Sequence, residues 1–548
     1  MNVVEKIIKF INSDINRSML IIISFLGFVI RLFLSLRAFG IYHPDEIFQS
    51  LEMAHLIVYD SGKIPPEFMK ENPNISSYAA ARSWLFPIIF ASIMYFGEAI
   101  NLNYHYQILP LIRILLAINS TLLIPVVFKF IKYLTNDENY GLIGACLIAF
   151  HWRLIELSIR PFTNTFFLAM LIYGLYRILI VLEKNELIIR DTIILTLFVG
   201  VVTYVRVDLG IGVFSLFVVM FDKSKIRMYF KIFLRGVYGW FIGVIIDFGF
   251  YGRLFTVPIN WITFNLNYSH LFGVSDRYYY FEEMIIGDGL LIYGVLSSVI
   301  FVIMIINGYL KLEYFENFDY NGIRANFKAS YIRIYCLNIL SWAISSNIWT
   351  DASHKEIRFN SLNLVFLLIL FSFAIWEGIK FVSDLIFRFD LISVRKYNYK
   401  LNSTKIKRLV SILFILLFIF QSFYYHSHRG YVENFDDINK ALIFVGQQED
   451  VDNVIILGHW YLSGSYTYLH KSMSTEISYI NIVEPKTSLD TIENLERVLR
   501  DFDGNDYLIV PVYQLEKDKD NLNNIFIENQ FEIIENIEDR TYVYKKII

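Results

Sequence analysis

Two cysteines in 548 residues leave no disulfide framework. Cys146 and Cys336 both lie inside apolar runs, where packing as small hydrophobic side chains is expected for each. Charge of one sign is also lacking: 49 Lys and Arg against 52 Asp and Glu give a net charge of −3. That excludes a basic nucleic-acid footprint, and no nucleic-acid partner is expected. No glycine-rich phosphate loop occurs, so no nucleotide-sugar site is implied. No strong repeat of 20–50 residues marks a solenoid or propeller. His151, His354, His426, His428, His459 and His470 show no zinc-ligand spacing, so neither a metal nor another cofactor is expected. The first apolar block has no small-x-small cleavage site and is too long for a secretory core, which predicts a retained helix.

What the chain has in excess is apolar surface. It is 55% hydrophobic and 17% aromatic, against roughly 45–50% apolar in soluble domains. The excess falls in blocks of roughly 18–25 residues, the length that crosses a hydrocarbon core. They are Met19–Leu36, Trp84–Ile100, Ile108–Phe130, Phe166–Leu182, Met228–Phe250, Gly289–Ile306, Tyr331–Ile348, Ser361–Phe381 and Leu409–Phe423. The expectation is an α-helical polytopic membrane protein with about 10–13 spans, embedded in a lipid bilayer. The stretch 191–221 reads as one tilted helix or two short ones, with Arg206 and Asp208 at the turn. Lys6, Lys9 and Arg17 place the N-terminus in the cytoplasm, as do the basic stretches 222–235 and 384–408 for their own loops. Loops 40–82, 251–288 and 350–360 then fall together on the far side. From about residue 430 the apolar blocks shorten to 4–8 residues: Asn453–Leu457, Asp506–Val510, Phe531–Ile534 and Thr541–Tyr544, with helix-like stretches Leu489–Phe502 and Leu515–Phe526. This predicts a transmembrane domain over 1–428 and a small extracytoplasmic α/β domain over 429–548.

Polar residues crowd the mouths of the apolar blocks. The run His43-Pro44-Asp45-Glu46, with Gln49 and Glu52, follows the first block directly. Asp45 and Glu46 point to different faces in any regular structure, so one can act while the other holds it. Pro44 suits a helix starting just after the turn, which would put Gln49 and Glu52 on the face near Asp45. A partly desolvated carboxylate there suits a general base; a helix cap with a solvated acidic face is the plain alternative. A second cluster, His354, Lys355, Glu356 and Arg358, opens another apolar block. Its cations suit an anionic headgroup such as a phosphate, or they snorkel. Asp247, Tyr251, Asn260 and Trp261 belong to an aromatic-rich stretch that either lines a sugar or lipid site or forms an interfacial belt. Arg206 and Asp208 read as an internal ion pair or a buried functional pair.

Taken together these residues resemble the glycosyltransferase family 22 mannosyltransferases. His43-Pro44-Asp45-Glu46 with Gln49-Ser50-Leu51-Glu52 is similar to that family's opening motif, and His354-Lys355-Glu356-x-Arg358-Phe359 to its second. Phe250-Tyr251-Gly252 with Asn260-Trp261 resembles its intervening loop, and Arg82-Ser83-Trp84-Leu85-Phe86-Pro87 the run that opens its second helix. Arg206-Val207-Asp208 stands where an Arg-Pro-Thr-like element is expected, Asn360-Ser361-Leu362-Asn363 replaces a proline-rich run, and Gly458 replaces a cysteine. Within the family, His43–His55, Val454–His459 and Tyr468-Leu469-His470 most resemble the enzymes that add the third mannose to glycosylphosphatidylinositol (GPI) precursors.

The resemblance implies a GT-C fold, a polyprenyl (dolichyl) phosphate-mannose donor, a glycolipid acceptor and inverting transfer. It implies Asp45 as base, with Glu46 as second choice. His43, Gln49, Glu52, Arg82, Arg206, Tyr251, Asn260, His354, Lys355, Glu356 and Arg358 would bind donor phosphate or substrate. The alternatives are a mannosyltransferase of lipid-linked oligosaccharide assembly and a transporter of lipid-linked sugars. The membrane implied is the endoplasmic reticulum in a eukaryote and the plasma membrane in a prokaryote.

Overall fold

The computed structural model describes residues 15–71, 79–267, 279–299, 333–343, 357–388, 403–429, 436–460, 463–472, 474–482, 492–500, 505–516 and 519–546. They form two compact units. The first comprises Met1–Arg31, Ala117–Ser158 and Thr163–Gly430, and the second Leu32–Leu116, Ile159–Phe162 and Tyr431–Ile548.

The first unit is helical. Among the described residues of the whole chain, five helices are long and apolar enough to cross a membrane, or six if the bent pair Glu138–Phe150 and Trp152–Ser158 is one span. This is fewer than the 10–13 expected, for three reasons. The block Trp84–Ile100 yields only the 15-residue helix Leu85–Ala99. Phe166–Leu182 yields Leu168–Lys184, whose Arg177 is ion-paired with Asp191. Gly289–Ile306 and Tyr331–Ile348 lie partly outside the described residues. The stretch 191–221 breaks in two, with Arg206 extended (φ −136°) between Val202–Val205 and Gly210–Val219. The expected loop 251–288 contains the helix Thr256–Asn267, which carries Pro258 in its first turn and buries Val257 and Phe264.

Two devices tie these helices together. The 62° bend at His151 leaves the last carbonyls of Glu138–Phe150 without helical partners. The buried Arg31 guanidinium donates to two of them, Ala149 O at 2.7 Å and Ile148 O at 2.8 Å. The π-helical stretch Leu195–Val201 crosses Ile226–Tyr251 at glycines. A Cβ on Gly239 would sit 2.1 Å from Thr196 O, and one on Gly200 2.3 Å from Gly236 O, so only bare backbone fits. Cys146 is buried as expected, whereas Cys336 is exposed on the helical residues 333–343. An apolar run in a membrane protein can face lipid as well as protein, which is why its sequence context misplaced it.

The second unit carries a mixed five-stranded sheet in the order β2-β1-β3-β5-β4. The strands are β1 (Asn453–Leu457), β2 (Glu476–Ile480), β3 (Asp506–Pro511), β4 (Phe531–Ile537) and β5 (Thr541–Lys546). β1 pairs parallel with β2 and β3, and β5 pairs antiparallel with β3 and β4. Central β3 is buried at every residue, as a strand covered on both faces must be. Helices Ile492–Arg500 and Lys519–Glu528 pack Leu495, Leu499, Leu522 and Phe526 against Ile455, Leu457, Leu508 and Val510. Helix Asp436–Gly446 precedes β1, and its buried Asp437 accepts a hydrogen bond from Thr541 Oγ1 of β5.

Candidate active site

The first site lies wholly in the second unit. After the helix Ile15–Arg37 the chain turns at His43-Pro44, and helical residues begin at Asp45. Pro44 sits in the first turn, where its missing N–H costs nothing. His43 caps that turn: its Nδ1 accepts from the Asp45 N–H at 3.1 Å, and it lies 3.5 Å from Asp45 Oδ1.

The adjacent carboxylates then part company. Glu46 is buried and bridged by Arg160, whose Nη1 donates to Oε1 at 3.0 Å and Oε2 at 2.9 Å. Arg160 also donates to Gly40 O at 2.8 Å, and the Tyr42 N–H donates to Glu46 Oε1 at 2.6 Å. Both ends of the turn are therefore pinned to one guanidinium. The Asp45 side chain keeps 21% of its surface exposed. Glu46 thus holds the turn and Asp45 remains reachable by a substrate.

Gln49 and Glu52 do not both follow Asp45. Residues Ile47–Leu51 form a π-helical turn before the α-helix Glu52–Tyr59. The wider i to i+5 turn rotates Glu52 off the face that regular helical spacing assigns to it. Gln49 Nε2 donates to Glu67 Oε1 at 2.6 Å. Glu52 is fully buried elsewhere, accepting from the Lys63 N–H at 2.9 Å, the Thr467 N–H at 2.9 Å and Thr467 Oγ1 at 2.7 Å. Burial holds its carboxyl above the usual range even against these donors. Its role in this arrangement is to fasten the first loop to the short helix Ser465–Leu469.

Two further contacts reinforce that fastening. Arg113 Nη2 donates to Tyr468 Oη at 2.6 Å while its Nη1 donates to Ser35 O and Ala38 O. His55 Nε2 lies 2.9 Å from His470 Nδ1, with His55 Nδ1 2.6 Å from Ser61 O. Tyr104 stacks flat on the His470 ring, centroids 3.9 Å apart. Burial lowers His55 to about 4 and His470 to about 3, so both are neutral and one donates to the other.

Arg82 is half-buried beside the same loop. The Ala81 N–H donates to Glu67 O at 2.9 Å and the Ala80 N–H to Met69 O at 2.9 Å, which lays the Arg82 segment along residues 67–69. The Phe68 and Trp84 rings meet edge to face at 5.1 Å.

The second set lies in the first unit. Arg206 and Asp208 form a buried two-point pair, Nε to Oδ1 and Nη2 to Oδ2, both at 3.0 Å. Asn164 Nδ2 donates to Asp208 Oδ2 at 3.1 Å. Arg358 opens the turn Ile357–Asn360 ahead of helix Ser361–Arg388. Its guanidinium lies 4.9 Å from the Phe359 ring centroid, and that of Arg206 lies 5.7 Å from the same centroid. Two cations 152 positions apart in sequence thus meet one aromatic ring. Tyr251 is buried at the end of Ile226–Tyr251, and Asn260 is half-buried on Thr256–Asn267. His354, Lys355 and Glu356 lie outside the described residues. Among the described residues no group of three or more His, Cys, Asp or Glu is arranged to hold a metal ion.

Sequence reasoning gave no role to Glu67, His55, Arg113 or Arg160. The signal for the arginines was present, because a charge beside an apolar run needs a partner.

The architecture defines the class. ArnT from Cupriavidus metallidurans in the apo state superposes with a TM-score of 0.57 at 11% identity, over 96% of this chain and 98% of that one. The same protein bound to undecaprenyl phosphate gives 0.55 at 11% identity over the same shares. An oligosaccharyltransferase from Archaeoglobus fulgidus aligns at 0.46 and 13% identity, over 91% of this chain and 69% of that one. The fold is the multi-pass GT-C fold of membrane glycosyltransferases. The sequence matches the model of the Alg9-like mannosyltransferase family over residues 21–470, and the chain belongs to that family. No curated protein matches the sequence. The protein is therefore an enzyme, a mannosyltransferase, and the transporter reading is set aside.

Proposed function

We propose that this enzyme moves mannose from a polyprenyl (dolichyl) phosphate-mannose donor, with inversion, onto a hydroxyl of a glycolipid acceptor, a GPI precursor that already carries two mannoses. The observation that carries the mechanism is the division between Asp45 and Glu46. Asp45 is exposed enough to meet an acceptor hydroxyl, while Glu46 is committed to Arg160. Asp45 takes the hydroxyl proton as the acceptor oxygen forms its bond to the anomeric carbon. The bond from that carbon to the donor phosphate breaks, and its electron pair leaves on the lipid phosphate. Arg206 and Arg358, joined through Phe359, are the described cations suited to that developing charge, with His354 and Lys355 as further contributors. His43, Gln49, Arg82, Tyr251 and Asn260 are assigned to substrate contacts. ArnT from Cupriavidus metallidurans, similar in fold, was solved with a lipid phosphate bound, the kind of leaving group this reaction releases.

The acceptor assignment rests on three stretches, His43–His55, Val454–His459 and Tyr468–His470. The contact of His55 with His470 joins the first to the last. Transfer would take place on the extracytoplasmic face, where residues 429–548 are assigned. The membrane would be that of the endoplasmic reticulum in a eukaryote and the plasma membrane in a prokaryote. The test uses detergent-purified enzyme, labelled dolichyl-phosphate mannose, a dimannosyl GPI precursor and a dolichyl-pyrophosphate oligosaccharide. Transfer to the GPI precursor by wild type, lost in Asp45→Asn, is the expected result. Transfer to the oligosaccharide alone would overturn the acceptor assignment, and full turnover by Asp45→Asn would overturn the base.

A further inference from the structure

One end of the C-terminal sheet carries an ordered polar and aromatic cluster that the mechanism leaves unused. Strands β1, β2 and β3 run parallel in the order β2-β1-β3. The chain passes from β1 to β2 on one side and returns to β3 on the other, so its connections part between the carboxyl ends of β1 and β3. Such a switch point is where open α/β sheets hold their ligands. Gly458, His459 and Trp460 follow β1 there, Asn481 and Ile482 follow β2, and Tyr513 and Gln514 lie just past β3. All belong to the second unit.

The hydrogen bonds at this end form a relay of fixed direction. The Ile482 N–H can only donate, and it donates to Gln514 Oε1 at 3.1 Å. Gln514 Nε2 then donates to Asn481 Oδ1 at 2.7 Å, and Asn481 Nδ2 donates to His459 Nε2. Both amide side chains are buried. His459 Nε2 is therefore an acceptor, which places the ring proton on Nδ1. The relay fixes the segment that carries Trp460. Gly458 has φ +150°, and a Cβ there would lie 3.0 Å from Tyr513 Oη, so the bare residue lets that hydroxyl rest against the end of β1.

Trp460 itself stays 40% exposed on this rigid support. The Lys63 ammonium lies 5.8 Å from its ring centroid and 4.8 Å from that of Tyr479. Phe48, three positions after Asp45, meets Trp460 edge to face with centroids 4.8 Å apart. An exposed indole beside an ammonium suits a pyranose. The C–H face of a hexose stacks on the aromatic plane, and its rim of hydroxyls accepts hydrogen bonds from the cation. An acyl chain would offer that cation nothing.

We propose that Trp460 with Lys63 forms an acceptor subsite that holds a hexose of the glycan inward from the one receiving mannose. His459, Asn481 and Gln514 are its positioning residues. The inference rests on the glycolipid reading of the acceptor. The contact with Phe48 indexes a sugar held on Trp460 to the turn that carries the proposed base.

The test separates a lost subsite from a disturbed turn. Detergent-purified full-length wild type, Trp460→Ala, Trp460→Phe and Lys63→Met are assayed with labelled dolichyl-phosphate mannose, with a thermal melt to confirm folding. One acceptor is the dimannosyl GPI precursor. The other is octyl α-mannoside, which has a single sugar and nothing to place on Trp460. With the precursor, Trp460→Ala raises acceptor KM about tenfold, while Trp460→Phe, which keeps a ring, stays within about threefold of wild type. Lys63→Met raises it about threefold. With octyl α-mannoside every variant stays within about twofold of wild type, and donor KM is unchanged throughout. Equal losses on both acceptors overturn the subsite, because Trp460 would then act only through Phe48. An unchanged precursor KM in Trp460→Ala overturns it as well. Calorimetric titration of α-mannobiose into the donor-free proteins needs no turnover, so it decides the subsite where an acceptor is not used. Binding by wild type that weakens about tenfold in Trp460→Ala supports the subsite, and equal binding or none by wild type overturns it. Wild type that mannosylates neither acceptor is a separate failure, that of the acceptor reading.

Discussion

Replacing Arg160 by methionine keeps side-chain bulk and removes the charge that holds Glu46. In the native arrangement Arg160 is 1% exposed and Glu46 3%. The guanidinium supplies hydrogen bonds to both Glu46 oxygens and to Gly40 O. Without it the carboxylate keeps the Tyr42 N–H and remains buried. Removing one member of such a buried pair costs about 3–5 kcal/mol. In a unit of about two hundred residues each kcal/mol lowers the melting temperature by roughly 2–4 °C. Arg160→Met should therefore melt roughly 6–20 °C below wild type. Asp45, the proposed base, is the neighbour of Glu46, and a displacement of about 1 Å at a reacting group costs on the order of a hundredfold in rate. The double variant Glu46→Gln with Arg160→Met removes both charges and should recover most of the lost stability, which separates the ion pair from mere packing. The assay is a thermal melt of detergent-purified protein beside the rate of mannosyl transfer. Arg160→Met melting within a degree of wild type would refute the anchoring role. So would a Glu46→Gln variant with wild-type melting and no transfer, because Glu46 would then be the reacting carboxylate.

Three further outcomes are expected. Glu52→Ala strands the buried donors of Lys63 and Thr467, and should lower stability by at least about 2 kcal/mol with no change in donor KM, measured by melt and by kinetics. His55 and His470 have folded values lowered from 6.5 to about 4 and about 3, so their stabilising contribution is complete above pH 6.5 and is lost as pH falls through 4 and 3. For His55 alone that is on the order of 3 kcal/mol, and melts between pH 7 and 4 should flatten in a His55→Asn, His470→Asn variant. Arg358→Ala should raise KM for dolichyl-phosphate mannose about tenfold and leave acceptor KM within twofold, and an unchanged donor KM would remove Arg358 from the phosphate role.

The parts of this protein legible from sequence are those set by local pattern. The helix Ile15–Arg37 contains the apolar block 19–36 almost as drawn. Four of the five strands fall where short apolar runs predicted them. β2 escaped because Glu476-Ile477-Ser478-Tyr479-Ile480 is an edge strand, polar on one side and only partly covered. The break at Arg206–Asp208 was legible because two opposite charges two residues apart rarely continue an apolar helix. The Asp45-Glu46 pair was legible as chemistry, but which carboxylate is held was not. That is decided by Arg160, 114 positions away. Glu52 was placed beside Asp45 by helical spacing, and a π-turn that no periodicity announces moved it. Glu67 follows two prolines in a polar stretch and carries no motif; only folding brings it to Gln49.

The partners of the first loop are made late. Glu52 meets Thr467 and His55 meets His470 across 415 positions of chain. At about 5–20 residues per second of synthesis, that gap is roughly 20–80 s. Through this interval the nascent loop holds a carboxylate and an imidazole destined for burial, with nothing yet to bury them. It has to stay hydrated and open while the intervening helices enter the bilayer. Truncation before residue 467 would then leave a chain with Asp45 in place and its loop never closed. Quality control would meet such a chain as a stalled assembly intermediate rather than as an inactive enzyme.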